Sequence, residues 1–166
     1  MSAPVKAAGA VDIVSGKSYY LRNAASGLCL DLQASGVTNG THFQQYPQWY
    51  ASELFKIKLG EDGYYTLETT LVGATEKMVM DGRSNCVAGA QVVLYKYGST
   101  YPEQRWEIRK NGFDSYCLSP KKNLSLNLSV EGTASNAKVK LASKADNVKS
   151  QQWYIESVST ATNVSS

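Results

Sequence analysis

Glu53-Leu54-Phe55, Gln104-Arg105-Trp106 and Gln151-Gln152-Trp153 share one pattern: an acid or amide, a variable residue, then an aromatic ring. The rings stand 51 and 47 residues apart. A second anchor precedes each: Leu30-Asp31-Leu32, Met80-Asp81-Gly82 and Leu126-Asn127-Leu128, with polar centres 50 and 46 residues apart. From polar centre to ring the distance is 24, 25 and 26 residues. Two anchors that drift together mark one unit used three times.

Between the anchors lies a third element, Phe43-Gln44-Gln45-Tyr46, Val92-Val93-Leu94-Tyr95 and Val139-Lys140-Leu141-Ala142. Just before it stand Asn39-Gly40, Ala88-Gly89 and Ser135-Asn136, which suit tight hairpin turns because Gly and Asn tolerate positive φ. Each unit opens with a β-rich run: Ser18-Tyr19-Tyr20-Leu21, Tyr64-Tyr65-Thr66-Leu67, Ser115-Tyr116-Cys117-Leu118. Four short strands per unit, separated by turn residues, predict an all-β fold. No capped window carries apolar residues at helical spacing; Glu76 to Met80 could form a helical turn but aligns with strand positions of the other units. Three units of four strands predict a closed barrel with attached hairpins, since closure removes exposed edges. Phe55, Trp106 and Trp153 are then expected as related members of one core. The predicted organisation is an extension over 1–14, one domain over 15–158 with units about 15–60, 61–110 and 111–158, and a frayed tail over 159–166.

Composition narrows the function. A chain of 166 residues with 43% hydrophobic residues is enough for one core. A net charge of +3 is far from the dense basic stripe of a nucleic-acid binder, so no nucleic acid is expected as a partner. Six lysines of the third unit (Lys121, Lys122, Lys138, Lys140, Lys144, Lys149) suit a solvated surface, or an acidic glycan or phosphorylated partner. Cys29, Cys86 and Cys117 are an odd count without a CxxC pair, neither a disulfide framework nor a zinc site. Met1 to Ala10 do not read as a signal peptide, and no stretch is long and apolar enough to span a membrane. These readings lead to an expectation of a reduced, cytoplasmic protein, with release by a non-classical route left open and the sequons at Asn39, Asn123, Asn127 and Asn163 taken as chance.

The three Q-x-W endings, the strand-borne Asp and the Asn-Gly turn resemble the ricin-B-type β-trefoil lectins, above all fungal lectins without signal peptides. The resemblance covers about residues 15 to 158 and implies a β-trefoil that binds carbohydrate, with galactose or N-acetylgalactosamine-type glycans as the expected ligands. Trefoils also serve as protease inhibitors and cytoskeletal binders, so the fold alone leaves function open. The exposed loop Tyr97 to Pro102 is long enough for the inhibitor alternative.

A neutral sugar presents hydroxyls and one apolar face, so recognition needs an aromatic platform and a carboxylate or amide. In the family that this chain resembles, the strand Asp takes two hydroxyls and the aromatic at the end of the middle strand stacks on the ring. A Gln two residues earlier and the residue before Q-x-W add hydrogen bonds. The first unit matches with Asp31, Gln44 and Tyr46, has Ser52 in the last position, and offers Trp49 to replace or assist Tyr46. The second has Asp81 and Tyr95, with Tyr97 nearby, Val93 in the Gln position and Glu103 in the last. The third has Asn127, Lys140 and Ala142, and so lacks both carboxylate and platform. Shallow single sites bind weakly and gain from multivalency, which would favour a homodimer, although the sequence marks no dimer surface.

Catalysis is not expected. His42 is the one histidine, Glu61-Asp62 sit in a turn beside Gly63, and nothing near Cys117 lowers a thiol pKa. No metal-ligand spacing and no phosphate-binding Gly-rich loop implies a cofactor.

Overall fold

The computed structural model describes residues 12–112 and 114–158. The expected tail over 159–166, and most of the expected extension, lie outside them. Ile13, within the predicted extension, packs against the core.

Among the described residues twelve strands fall into three sets of four, as the repeats predict. The first set is β1 (Lys17–Asn23), β2 (Cys29–Leu32), β3 (Phe43–Tyr46) and β4 (Phe55–Leu59). The second is β5 (Tyr65–Thr69), β6 (Met78–Asp81), β7 (Val93–Lys96) and β8 (Trp106–Lys110). The third is β9 (Tyr116–Pro120), β10 (Leu126–Val130), β11 (Val139–Ser143) and β12 (Trp153–Ser157). The stretch Glu76 to Met80, weighed as a helical turn, leads into strand β6.

The first and last strands of each set close a barrel of antiparallel pairs, running β1–β4–β5–β8–β9–β12 and back to β1. Alternation sets which face is inward: in β4 Phe55 and Ile57 are buried while Lys56 and Lys58 are not. The inner strands form three hairpins, β2–β3, β6–β7 and β10–β11, that cap the barrel. Single bridges His42–Val93, Gln44–Lys138 and Gln91–Lys140 knit the hairpins together. At the centre of the cap Phe43 N donates to Val92 O at 3.1 Å, and Val92 N to Val139 O at 3.0 Å. Phe43, Val92 and Val139 are all fully buried there. This is the β-trefoil architecture.

Phe55, Trp106 and Trp153 share the core, as expected. Each indole also ties barrel to cap: Trp106 Nε1 donates to Met80 O and Trp153 Nε1 to Leu128 O, both at 3.1 Å. These matched bonds correct the third anchor. Leu128 is the counterpart of Met80, so the residue equivalent to Asp81 is Ser129 and not Asn127. Hairpin register agrees, because Asp31 pairs with Gln44, Asp81 with Val93 and Ser129 with Lys140. Asn127 instead is fully buried in a polar network, accepting from Ser119 Oγ at 2.7 Å and Arg109 Nη2 at 3.0 Å. Arg109 Nη2 also pairs with Asp146 at 2.8 Å, which pins the loop after β11 to the barrel.

The amide that opens each Q-x-W holds the loop after the middle strand. Gln104 Nε2 donates to Lys96 O at 2.8 Å and Gly98 N donates to Gln104 Oε1 at 2.9 Å. Gln151 repeats this with Ser143 O at 3.0 Å and Ala145 N at 2.8 Å. Glu53 breaks the pattern. Its Oε1 accepts from Tyr50 N at 3.1 Å, but Oε2 has no hydrogen-bond partner and the residue is 0% exposed. Burial, reinforced by the Asp31 charge, pushes its carboxyl up to about 8.

Candidate functional site

Three hollows lie beside the three hairpins, and the first two also reach the loop before Q-x-W. The first, about 260 Å³, is lined by Asp31, Gln44, Tyr46, Tyr50, Ser52 and Asn136 among others. The second, about 420 Å³, is lined by Gly40, Asp81, Arg83, Tyr95, Tyr101 and Glu103 among others. The third, about 250 Å³, is lined by Gly89, Ser129, Glu131, Lys140, Ala142 and Ser143 among others.

In the first hollow Gln44 Nε2 donates to Asp31 Oδ2 at 2.8 Å, and Ser52 Oγ donates to Asp31 Oδ1. Asp31, on β2, is therefore held from both sides by the facing strand and by the 3-10 turn Ala51–Glu53. Each carboxylate oxygen has a further lone pair, so an orienting contact does not exhaust its capacity to accept. Tyr46 and Tyr50 meet edge to face at 5.5 Å. Buried acceptor and half-exposed rings thus share one cavity. Asp31, Gln44, Tyr46 and Ser52, singled out from sequence, all line it.

Trp49 does not. Its ring meets Tyr20 edge to face at 5.7 Å and is 47% exposed, away from the hollow lining. Exposure was legible from its polar neighbours; direction was not.

The second hollow holds Asp81 differently. Arg83 N donates to Oδ1 at 2.5 Å and Gln104 Nε2 to Oδ2 at 3.1 Å. Burial raises the Asp81 carboxyl; these two bonds oppose the shift and Glu103 adds to it. Tyr95 and Glu103, singled out from sequence, line the cavity. Tyr97 does not: its ring is in contact with Lys77 Nζ, 4.1 Å from the centroid, and Arg105 Cζ, 4.9 Å from it. Arg105 Nη2 donates to Tyr97 OH, Gly98 O and Ser99 O, at 3.1, 3.2 and 2.9 Å, which fastens this loop to its own repeat.

The third hollow has Ser129, Lys140 and Ala142 where the first has Asp31, Gln44 and Tyr46. Carboxylate and ring are both absent from these positions, so that expectation survives the two-residue correction.

Two contributors escaped the sequence reading. Tyr50 and Tyr101 each precede a 3-10 turn, three residues before Glu53 and Gln104, and add a second ring to their hollows. That offset from Q-x-W was the available signal. The other contributor crosses repeats. The third unit's Asn136 lines the first hollow, the first unit's Gly40 the second, and the second unit's Gly89 the third. Matching bonds hold these turns: Asn136 N to Gln45 O at 2.8 Å, Gly40 N to Leu94 O at 2.8 Å, Gly89 N to Leu141 O at 2.7 Å.

Burial pushes the thiols of Cys29, Cys86 and Cys117 up, the last two to about 11, so none is a thiolate at neutral pH. Among the described residues no helix is long and apolar enough to cross a membrane.

Barrel and hairpin cap together define the class of β-trefoil proteins. The family model described as the ricin-type beta-trefoil lectin domain matches residues 17–153, and the chain belongs to that family. Similar solved structures include the designed three-fold symmetric protein ThreeFoil, 25% identical with a TM-score of 0.76, covering 85% of this chain and 99% of that one. The Macrolepiota procera ricin B-like lectin, in complex with lactose, is 17% identical with a TM-score of 0.71 over 89% of this chain and 99% of its own. The C-half of the earthworm R-type lectin, in complex with GalNAc, is 15% identical with a TM-score of 0.64 over 85% and 98%. A search of curated proteins gave no match. Membership in a lectin family supports carbohydrate binding.

Proposed function

We propose that the protein is a non-enzymatic lectin for galactose or N-acetylgalactosamine-type glycans, which it binds in the first and second hollows. One observation carries this reading: a buried aspartate shares an open cavity with a tyrosine pair, Asp31 with Tyr46 and Tyr50, then Asp81 with Tyr95 and Tyr101. The carboxylate accepts from vicinal hydroxyls while a ring covers the sugar's C–H face. Lactose and GalNAc in the two similar lectins support the choice of sugar class. Against the inhibitor alternative stands the tethering of Tyr97, Gly98 and Ser99 by Arg105, which leaves that loop folded onto its own repeat.

The test is a glycan array with the parent and with Asp31→Ala and Tyr46→Ala. Asp31→Ala is expected to lose roughly five- to 150-fold at the first hollow, since an unpaired sugar hydroxyl costs about 1–3 kcal/mol, and Tyr46→Ala is expected to weaken the same hollow by removing the ring that covers the C–H face. Unchanged binding of every responsive glycan by both variants would remove the first hollow from the reading.

A further inference from the structure

The turns that complete the three hollows are equivalent in backbone but not in chemistry. All three are left-handed: Gly40 has φ 92, Gly89 φ 88 and Asn136 φ 71. A Cβ added at Gly40 or Gly89 would meet nothing within 4 Å, so the second and third hollows receive bare backbone where there is room for more. At this left-handed position only the first hollow is lined by a residue with a side chain, the exposed Asn136. Asn tolerates the left-handed region better than most residues, but glycine enters it more readily still. The turn itself therefore has no need of the Asn136 side chain. Among the described residues, no side-chain hydrogen bond of the Asn136 amide is seen, so its donor and acceptor are open to a ligand.

We infer that Asn136, carried by the third repeat, is a specificity-determining contact of the first repeat's glycan site. This inference rests on the proposed lectin function. The amide supplies a donor and an acceptor beside the hairpin β2–β3 that holds Asp31 and Gln44. That set of neutral polar groups around one carboxylate suits an uncharged sugar. The second hollow, with Arg83 and Glu103 and with Gly40 at this position, differs in the same place. The two hollows therefore differ in what they accept, although their aspartate and tyrosine pair match.

The substitution to test is Asn136→Gly, which restores the residue that the other two turns carry and keeps the left-handed backbone. It is made in a Tyr95→Ala background, to weaken the second hollow, and binding of galactose, N-acetylgalactosamine and lactose is measured by titration calorimetry. Affinity is expected to fall five- to tenfold, with a narrower spread among the three sugars, while the thermal midpoint does not drop. A structural role alone would move the midpoint and leave the spread as it was, and that result overturns the inference. Asp31→Asn in the same background separates the two levels. If Asp31→Asn abolishes binding and Asn136→Gly leaves affinity and spread unchanged, Asn136 is no contact and the lectin reading stands. If the parent background binds none of the three sugars while the unmutated protein binds none either, the sugar reading falls, and the inference with it.

Discussion

Replacing Glu53 by Gln should abolish a pH dependence that the first repeat imposes on the whole fold. Glu53 occupies the place of Gln104 and Gln151, fully buried, with Oε2 unpartnered and its carboxyl raised to about 8. Between the ordinary carboxylate range and pH 8 the folded chain holds a proton that the unfolded chain has released. Stability is therefore complete below the unfolded value and is lost as pH rises through the folded one. Each unit of pH in that window removes about 1.4 kcal/mol, so the loss between pH 5.5 and 8 is about 3 kcal/mol. Burial is the larger cause of the shift and the Asp31 charge a smaller one. Tyr20 and Cys29, which face the same carboxyl, are themselves pushed upward and stay neutral across this range. A neutral amide of the same shape has no proton to lose. Urea unfolding of parent and Glu53→Gln, followed by tryptophan fluorescence at pH 5.5, 7 and 8.5, should show a stability gap between the two that widens as pH rises. The variant's advantage at pH 8.5 should exceed its advantage at pH 5.5 by about 3 kcal/mol. Parallel pH profiles for the two proteins would show that Glu53 is not protonated in the fold, and the account of its burial would be wrong.

Phe43→Ala removes a fully buried ring at the centre of the cap and should destabilise by about 3–5 kcal/mol, read as a shift of the urea midpoint. Tyr101→Ala should weaken glycan binding at the second hollow, with the first unaffected, as read by titration of each hollow's best glycan; the ring is 40% exposed, so stability should change by less than about 1 kcal/mol.

Much of the fold was legible because its signals are local. The aromatic ends of Q-x-W and the alternation in Phe55-Lys56-Ile57-Lys58 are set by core packing, and each can be read within a few residues. The third anchor was misplaced for a physical reason. Leu126-Asn127-Leu128 and Leu128-Ser129-Val130 both alternate apolar and polar, and a slip of two residues leaves every side chain on the same face. The long-range bond from Trp153 Nε1 to Leu128 O and the hairpin register break that degeneracy. Asp31, Gln44, Tyr46 and Ser52 were found because one hairpin and its own Q-x-W bring them together. Asn136 was not legible as part of the first hollow, since it comes from a repeat distant in sequence. Trp49 was assigned to the hollow because chain proximity does not say which side of a loop a ring takes.

The cyclic closure of the hollows means that no repeat owns its cavity. Excising the third unit would delete one basin outright and strip the rim from another, so the damage would exceed a third of the sites. Moving the chain ends from one inter-unit junction to the next would instead spare all three, because it cuts no hairpin and reorders only the covalent connections. The smallest ligand-competent piece of this architecture is thus the closed ring of three, and a lone unit, even if it folded, would present half a cup.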